Sequence, residues 1–161
     1  MLKSITPHQA VQLVFAITLA TILGAWIFEY AGYAPCELCL KQRFAYYAAV
    51  PLSFMIMLAG AKNPAILRYG LVALGLIMLA SCIFGIYHAG VEWKFWQGPT
   101  TCTGNGGLTG GLPDLSKPAV MCDQPAIRIL GLSLAGWNAV ISAATSLIAF
   151  GKSYGSSSAS Q

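Results

Sequence analysis

The stretch from Val11 to Phe28, VQLVFAITLATILGAWIF, carries no charge from end to end. A helix that crosses the hydrocarbon core of a bilayer needs about 20 mostly apolar residues. Three further stretches meet the same requirement: Phe44 to Gly60, Tyr69 to His88 and Leu130 to Phe150. Pro51 falls inside the second, where a membrane helix tolerates it as a kink. Only 9% of the chain is charged and 57% is hydrophobic. A soluble domain averages about 25% charged residues, so this chain cannot cover a water-facing surface. The expected fold is an all-α integral membrane bundle of four transmembrane helices, in one domain over residues 1–161. The net charge of +4 is small and no Lys/Arg block invites nucleic acid. Lys3 precedes the first run as in a signal peptide, but the run exceeds the ~7–15 apolar residues of such a core. It reads as a retained helix.

Spans at 11–28, 44–60, 69–88 and 130–150 leave loops at 29–43 and 89–129 on one side and both termini on the other. The terminal side carries Lys3, Lys62, Arg68 and Lys152 and no acid. Its denser Lys/Arg content marks it as cytoplasmic. Trp26, Tyr30, Tyr33, Trp93 and Trp96 fall near span ends and read as an interfacial belt. Gly131, Ala135, Ala139 and Ala143 recur every fourth residue of the last span, a stripe that admits a close neighbour helix. The tail 151–161 ends in GSSSASQ and is expected to be disordered.

The cysteines sharpen the picture. Cys36 and Cys39 lie in the first loop, Cys102 and Cys122 in the second, and none lies in a cytoplasmic segment. Disulfides persist in compartments such as the bacterial periplasm, so cysteines and charges agree on orientation. Cys82 sits inside the third span and reads as a buried small hydrophobe. CELC is not followed by His, which excludes a c-type haem attachment. A zinc site wants four ligands, and the second loop spaces its cysteines 20 apart instead of pairing them; metal is the weaker reading.

A redox dithiol fits better. With the second span starting near Leu40, Cys39 falls at a helix N-terminus, where the helix dipole favours a thiolate. Arg43 lies four residues on, on the same helical face as Cys39. It reads as a charge that stabilises the thiolate or an anionic acceptor beside it, against the plainer reading of a headgroup anchor. Five of the eight residues from Gly104 to Gly111 are glycine. That backbone is mobile and lets sulfurs travel, although a plain staple between Cys102 and Cys122 stays open. Two exchanging disulfides on one side form an electron relay.

The motifs PCELCLKQR, GVEWKFWQGPTTC and a late CD followed by GLSLAGW, on four spans, resemble the DsbB family of bacterial inner-membrane thiol oxidases. The resemblance implies disulfide pairs Cys36–Cys39 and Cys102–Cys122 with a transient Cys36–Cys122 bridge. It implies a quinone cofactor, ubiquinone or menaquinone, and a periplasmic DsbA-like thioredoxin-fold partner. By the same likeness Cys102 meets the partner, Cys39 passes electrons to the quinone, and Arg43 contacts it. His88 lies near a quinone-proximal histidine of the family, but reads first as an interfacial polar residue. No metal is expected. A vitamin-K-epoxide-reductase-like enzyme is the nearest alternative among redox proteins, with its CxxC late in the bundle instead of after the first span. A metal-binding or transport protein using loop thiolates, or a structural subunit with inert disulfides, are the alternatives outside that class.

Overall fold

The computed structural model describes residues 5–102 and 121–154. Four long helices account for most of them: α1 (Pro7–Tyr30), α2 (Glu37–Gly60), α3 (Pro64–Glu92) and α4 (Leu134–Tyr154). All four are long and apolar enough to cross a membrane. Each of the first three starts at a side-chain cap. The Thr6 hydroxyl accepts the Gln9 N–H at 3.2 Å while the Gln9 side chain accepts the Thr6 N–H at 2.9 Å, a reciprocal capping box. Asn63 accepts the Ala65 N–H at 3.0 Å to open α3. Cys36 does the same for α2, as described below.

The helices exceed the apolar runs at most ends, because capped turns carry polar residues beyond the apolar stretch. The last span differs in kind. Residues 130–133 were expected in the helix, and they form a hairpin instead. Strand β1 (Arg128–Ile129) pairs antiparallel with β2 (Leu132–Ser133) around Leu130 and Gly131. Both turn residues have positive φ, 52° and 84°. A two-residue hairpin needs that left-handed backbone, and Gly131 makes it cheap. The Trp137 indole N–H donates to the Ile129 carbonyl at 2.9 Å and straps the hairpin to α4. At the other end α4 continues to Tyr154, so the expected tail starts later than residue 151; residues 155–161 lie outside the described residues, as do Lys3 and the stretch Gly104–Gly111.

The four helices pack as a bundle, with α4 laid along α3, and α2 against both α1 and α3. One core runs through Val11, Val14 and Ile22 of α1, Tyr46 and Ile56 of α2, and Leu71, Leu74 and Met78 of α3. Large apolar side chains such as Ile27, Phe44, Met55, Ile83 and Leu147 point outward. In water that surface would be a liability; on a membrane protein it is the lipid face. The small-residue stripe on α4 is only partly the contact face. Ala139 does meet α3, where a Cβ on Gly85 would stand 3.0 Å from its backbone nitrogen. The most buried positions of α4, however, are Ala135, Asn138, Ser142, Thr145, Ser146, Ala149 and Ser153. Their hydroxyls bind across the seam: Ser142 donates to Ser81 at 3.0 Å and Ser146 to the Gly75 carbonyl at 2.9 Å. In lipid such contacts hold helices together where apolar attraction between them is weak.

Candidate active site

Pro35 disfavours helix at the residue before it, and α2 begins at Glu37, about one turn before the start expected near Leu40. Cys36 is therefore the N-cap, with φ −74° and ψ 170°. Its sulfur accepts the Cys39 N–H at 3.1 Å. The expectation that the helix end favours a thiolate at Cys39 is thus corrected: the first-turn N–H of Cys39 is directed at the Cys36 sulfur. The Cys39 thiol, hydrogen-bonded to it, pulls the Cys36 thiol well below the usual thiol range; burial opposes this, and the His88 imidazole adds to it.

His88 is fully buried, not interfacial. Its Nε2 lies 3.5 Å from the Cys36 sulfur. The same nitrogen lies 3.9 Å from Glu92 Oε1, one turn further along α3. The donor atoms of Cys36, Cys39 and His88 all fall within 4.8 Å of one another. These are donor types that zinc accepts, but a structural zinc site takes four, and among the described residues no fourth donor joins the three.

Cys102 closes a short 3-10 turn, Thr100–Cys102, and is bonded to Cys122 with 5.1 Å between Cα atoms. This pair packs with Cys36, Leu38 and Val91 in one buried cluster, and Cys39 and Phe84 border it. All four loop cysteines thus meet at one end of the bundle, one pair bonded and the other free. Lys94 pairs with Asp123 beside Cys122, tying the second loop down near the end of α3. Cys82 is free and buried.

On the other side of the first turn of α2 lies a cavity of about 380 Å³. It runs between α1, α2 and α4, and its wall includes Phe28, Cys39, Arg43, Ala135 and Ile141. Cys39 lines it; Cys36 and His88 do not. Arg43 reaches its wall but is turned to α1, where Nη1 donates to Glu29 Oε2 at 2.5 Å and Nη2 to the Ala25 carbonyl at 3.4 Å. Its closest charged partner is therefore Glu29, a residue that no motif singles out.

Two more residues of the wall escaped the sequence reading. Gln42 and Asn138 are buried, and the side-chain nitrogen of each has no hydrogen-bond partner. Asn138 is held from behind, since the Tyr46 hydroxyl donates to its Oδ1 at 2.5 Å and lies 3.1 Å from Ser142. The available signal was a lone amide in each of two otherwise apolar helical faces.

Residues 7–151 match the family described as Disulfide bond formation protein DsbB. The chain belongs to the DsbB family. It is a multi-pass membrane protein of disulfide bond formation with cysteine redox centres. It is 28% identical over 146 residues to Disulfide bond formation protein B of Azoarcus sp. (strain BH72), covering 84% of this chain and 86% of that one. It is also 30% identical over 133 residues to the uncharacterized protein RP370 of Rickettsia prowazekii (strain Madrid E), covering 78% of this chain and 75% of that one. No solved structure matches the chain.

Proposed function

We infer that this DsbB-family protein is a thiol:quinone oxidoreductase of the bacterial inner membrane, reoxidising a periplasmic thioredoxin-fold dithiol oxidase of the DsbA type. The observation that carries the reading is the cavity against Cys39. A quinone head is flat and apolar with carbonyl acceptors on its ring. The wall fits it: mostly apolar side chains, with two unpartnered amide nitrogens at Gln42 and Asn138 and the Arg43 guanidinium at its edge. A quinone held there supplies the terminal acceptor for two electrons and two protons. Gln42, Asn138 and Arg43 are the residues that would hold it.

The chain's own steps are thiol–disulfide exchanges. A partner thiolate attacks Cys102, the Cys102–Cys122 bond breaks, and Cys122 leaves as a thiolate. The partner's second thiol then displaces Cys102 and departs oxidised. Cys122 next attacks Cys36 of an oxidised Cys36–Cys39 pair, which frees the Cys39 thiolate on the cavity side. Cys102 resolves the Cys36–Cys122 bridge, regenerating its own disulfide and leaving Cys36 and Cys39 reduced. That product state has the same bonding as the described structure. The difference in reduction potential between the couples drives the net exchange, at about 1.4 kcal/mol for every 30 mV of a two-electron couple, and a quinone of higher potential would drain the relay.

The test is quinone reduction by the purified protein with a reduced thioredoxin-fold partner, using ubiquinone and menaquinone analogues in separate arms. Wild type turns over with at least one of them and Cys39→Ser does not. Full turnover in Cys39→Ser sinks the relay. The cluster of Cys36, Cys39 and His88 favours one second reading, a thiolate metal site. Metal analysis of the reduced protein, with thiol titration before and after chelator, separates the two.

A further inference from the structure

Asn138 sits in the wall of the cavity with one end of its amide used and the other idle. Its Oδ1 accepts the Tyr46 hydroxyl at 2.5 Å and lies 3.5 Å from the Ser142 hydroxyl. Ser142 in turn donates to Ser81 of α3 at 3.0 Å. Side chains of α2, α3 and α4 thus meet at one point, and in lipid such a network holds helices together. That role accounts for the amide oxygen and leaves the nitrogen without a purpose. Asn138 is only 8% exposed, and its Nδ2 has no hydrogen-bond partner. An amide nitrogen carries two donors, and a buried donor left unpaired is costly. With the oxygen held by Tyr46, the donor end is what remains for the cavity. Turned the other way round, the amide would offer the cavity an acceptor.

We propose that Tyr46 is a positioning residue that fixes the Asn138 amide with its nitrogen toward the cavity, so that the cavity discriminates between the oxidised and the reduced form of a quinone. The inference rests on reading the cavity as the quinone site, and adds which redox form that site prefers. A quinone oxygen is a carbonyl and only accepts. A quinol oxygen carries a hydrogen, is the poorer acceptor, and asks for an acceptor of its own. At Asn138 the acceptor atom is already taken by Tyr46. The oxidised form is therefore held and the reduced form let go. Tyr46 lies in the same wall, but the hydrogen of its hydroxyl is committed to Asn138, so it acts through that residue. Gln42 Nε2, the other unpartnered amide nitrogen of the wall, is a donor of the same kind.

The test reads binding, with turnover silenced. Every protein is full-length and carries Cys39→Ser, in detergent and stripped of quinone. A short-chain ubiquinone and its quinol are titrated by quenching of tryptophan fluorescence, Trp137 being part of the wall. A short-chain menaquinone and its quinol form a second arm. In whichever arm binds, the parent protein holds the quinone more tightly than the quinol. Tyr46→Phe, which removes one hydroxyl, and Asn138→Leu lower that preference by about two- to tenfold. Ser146→Ala breaks a seam hydrogen bond elsewhere on α4 and leaves the preference unmoved. Infrared spectra of the bound quinone, isotope-labelled at its carbonyls, show a stretch lowered from its position in empty micelles, and the lowering shrinks in Tyr46→Phe and Asn138→Leu. Equal affinity of the parent for quinone and quinol overturns the proposal, as does a carbonyl stretch at its micelle position, even if a variant fails to fold. So does a folded Tyr46→Phe that leaves the preference or the stretch unmoved, or a Ser146→Ala that shifts the preference as far. In each of these cases the parent still binds and the quinone reading survives. A parent that binds neither quinone ends both.

Discussion

At the scale of single residues, two cysteines three positions apart in one turn are made chemically unequal. Cys36 caps the helix and accepts the backbone N–H of Cys39, which lies inside the first turn. Because the Cys36 thiol is lowered, its thiolate fraction stays high as pH falls from alkaline to neutral, where an ordinary thiol near ~8.5 is mostly protonated. Alkylation of reduced protein by iodoacetamide, read by peptide mass spectrometry, is thus expected to vary little at Cys36 between neutral and alkaline pH. Equal, steep pH dependence at Cys36 and Cys39 would contradict the asymmetry. Arg43 gives the second prediction. Its partner Glu29 is nearly half exposed, and surface ion pairs contribute about 0–1 kcal/mol. Glu29→Gln is therefore expected to leave thermal stability almost unchanged. Arg43→Ala is expected to raise the KM for quinone several-fold while exchange with the partner dithiol proceeds at its normal rate. The reverse ordering would make Arg43 an anchor of the span.

At the scale of elements, α3 and α4 approach each other backbone to backbone at Gly85 and Ala139. A Cβ at Gly85 would press on the backbone of Ala139, which cannot swing aside as a side chain can. Gly85→Val is expected to separate the two helices and destabilise the bundle by about 1–3 kcal/mol, measured by thermal unfolding in detergent. Gly24, which has open space around it, is the control and should tolerate Ala. The elements also show what a sequence discloses and what it withholds. Four helices were legible because long uncharged runs have one stable answer in lipid. Their starts were not, because Thr6, Cys36 and Asn63 cap by geometry that no hydropathy pattern encodes. Gly131 belonged to a plausible small-residue stripe and turned out to be a hairpin residue. The four cysteines were legible by type and loop. That His88 and Glu92 would stand behind Cys36 depended on how α3 packs against α2, a long-range contact outside the reach of local spacing.

At the scale of the whole molecule, the bundle gathers Cys36, Cys39, Cys102 and Cys122 at a single end, where the turns after α1 and α3 meet. If that end faces the periplasm, a membrane-impermeant thiol reagent applied to intact cells should reach a single cysteine engineered at Gly98. It should not reach one at Lys62, on the opposite end. Labelling of both positions, or of Lys62 alone, would reverse the proposed orientation. The same arrangement predicts that Cys122→Ala accumulates a mixed disulfide between Cys102 and the partner on a non-reducing gel, and that Cys102→Ala accumulates none.

The first turn of α2 stands between two spaces: the cysteine cluster on one side and the apolar cavity on the other, with Cys36 facing the former and Cys39 lining the latter. In the proposed relay it would work as an insulated feedthrough: electrons would pass from one sulfur to the next across a single helical turn, and the insulation would be nothing more than one turn of helix begun at a cysteine.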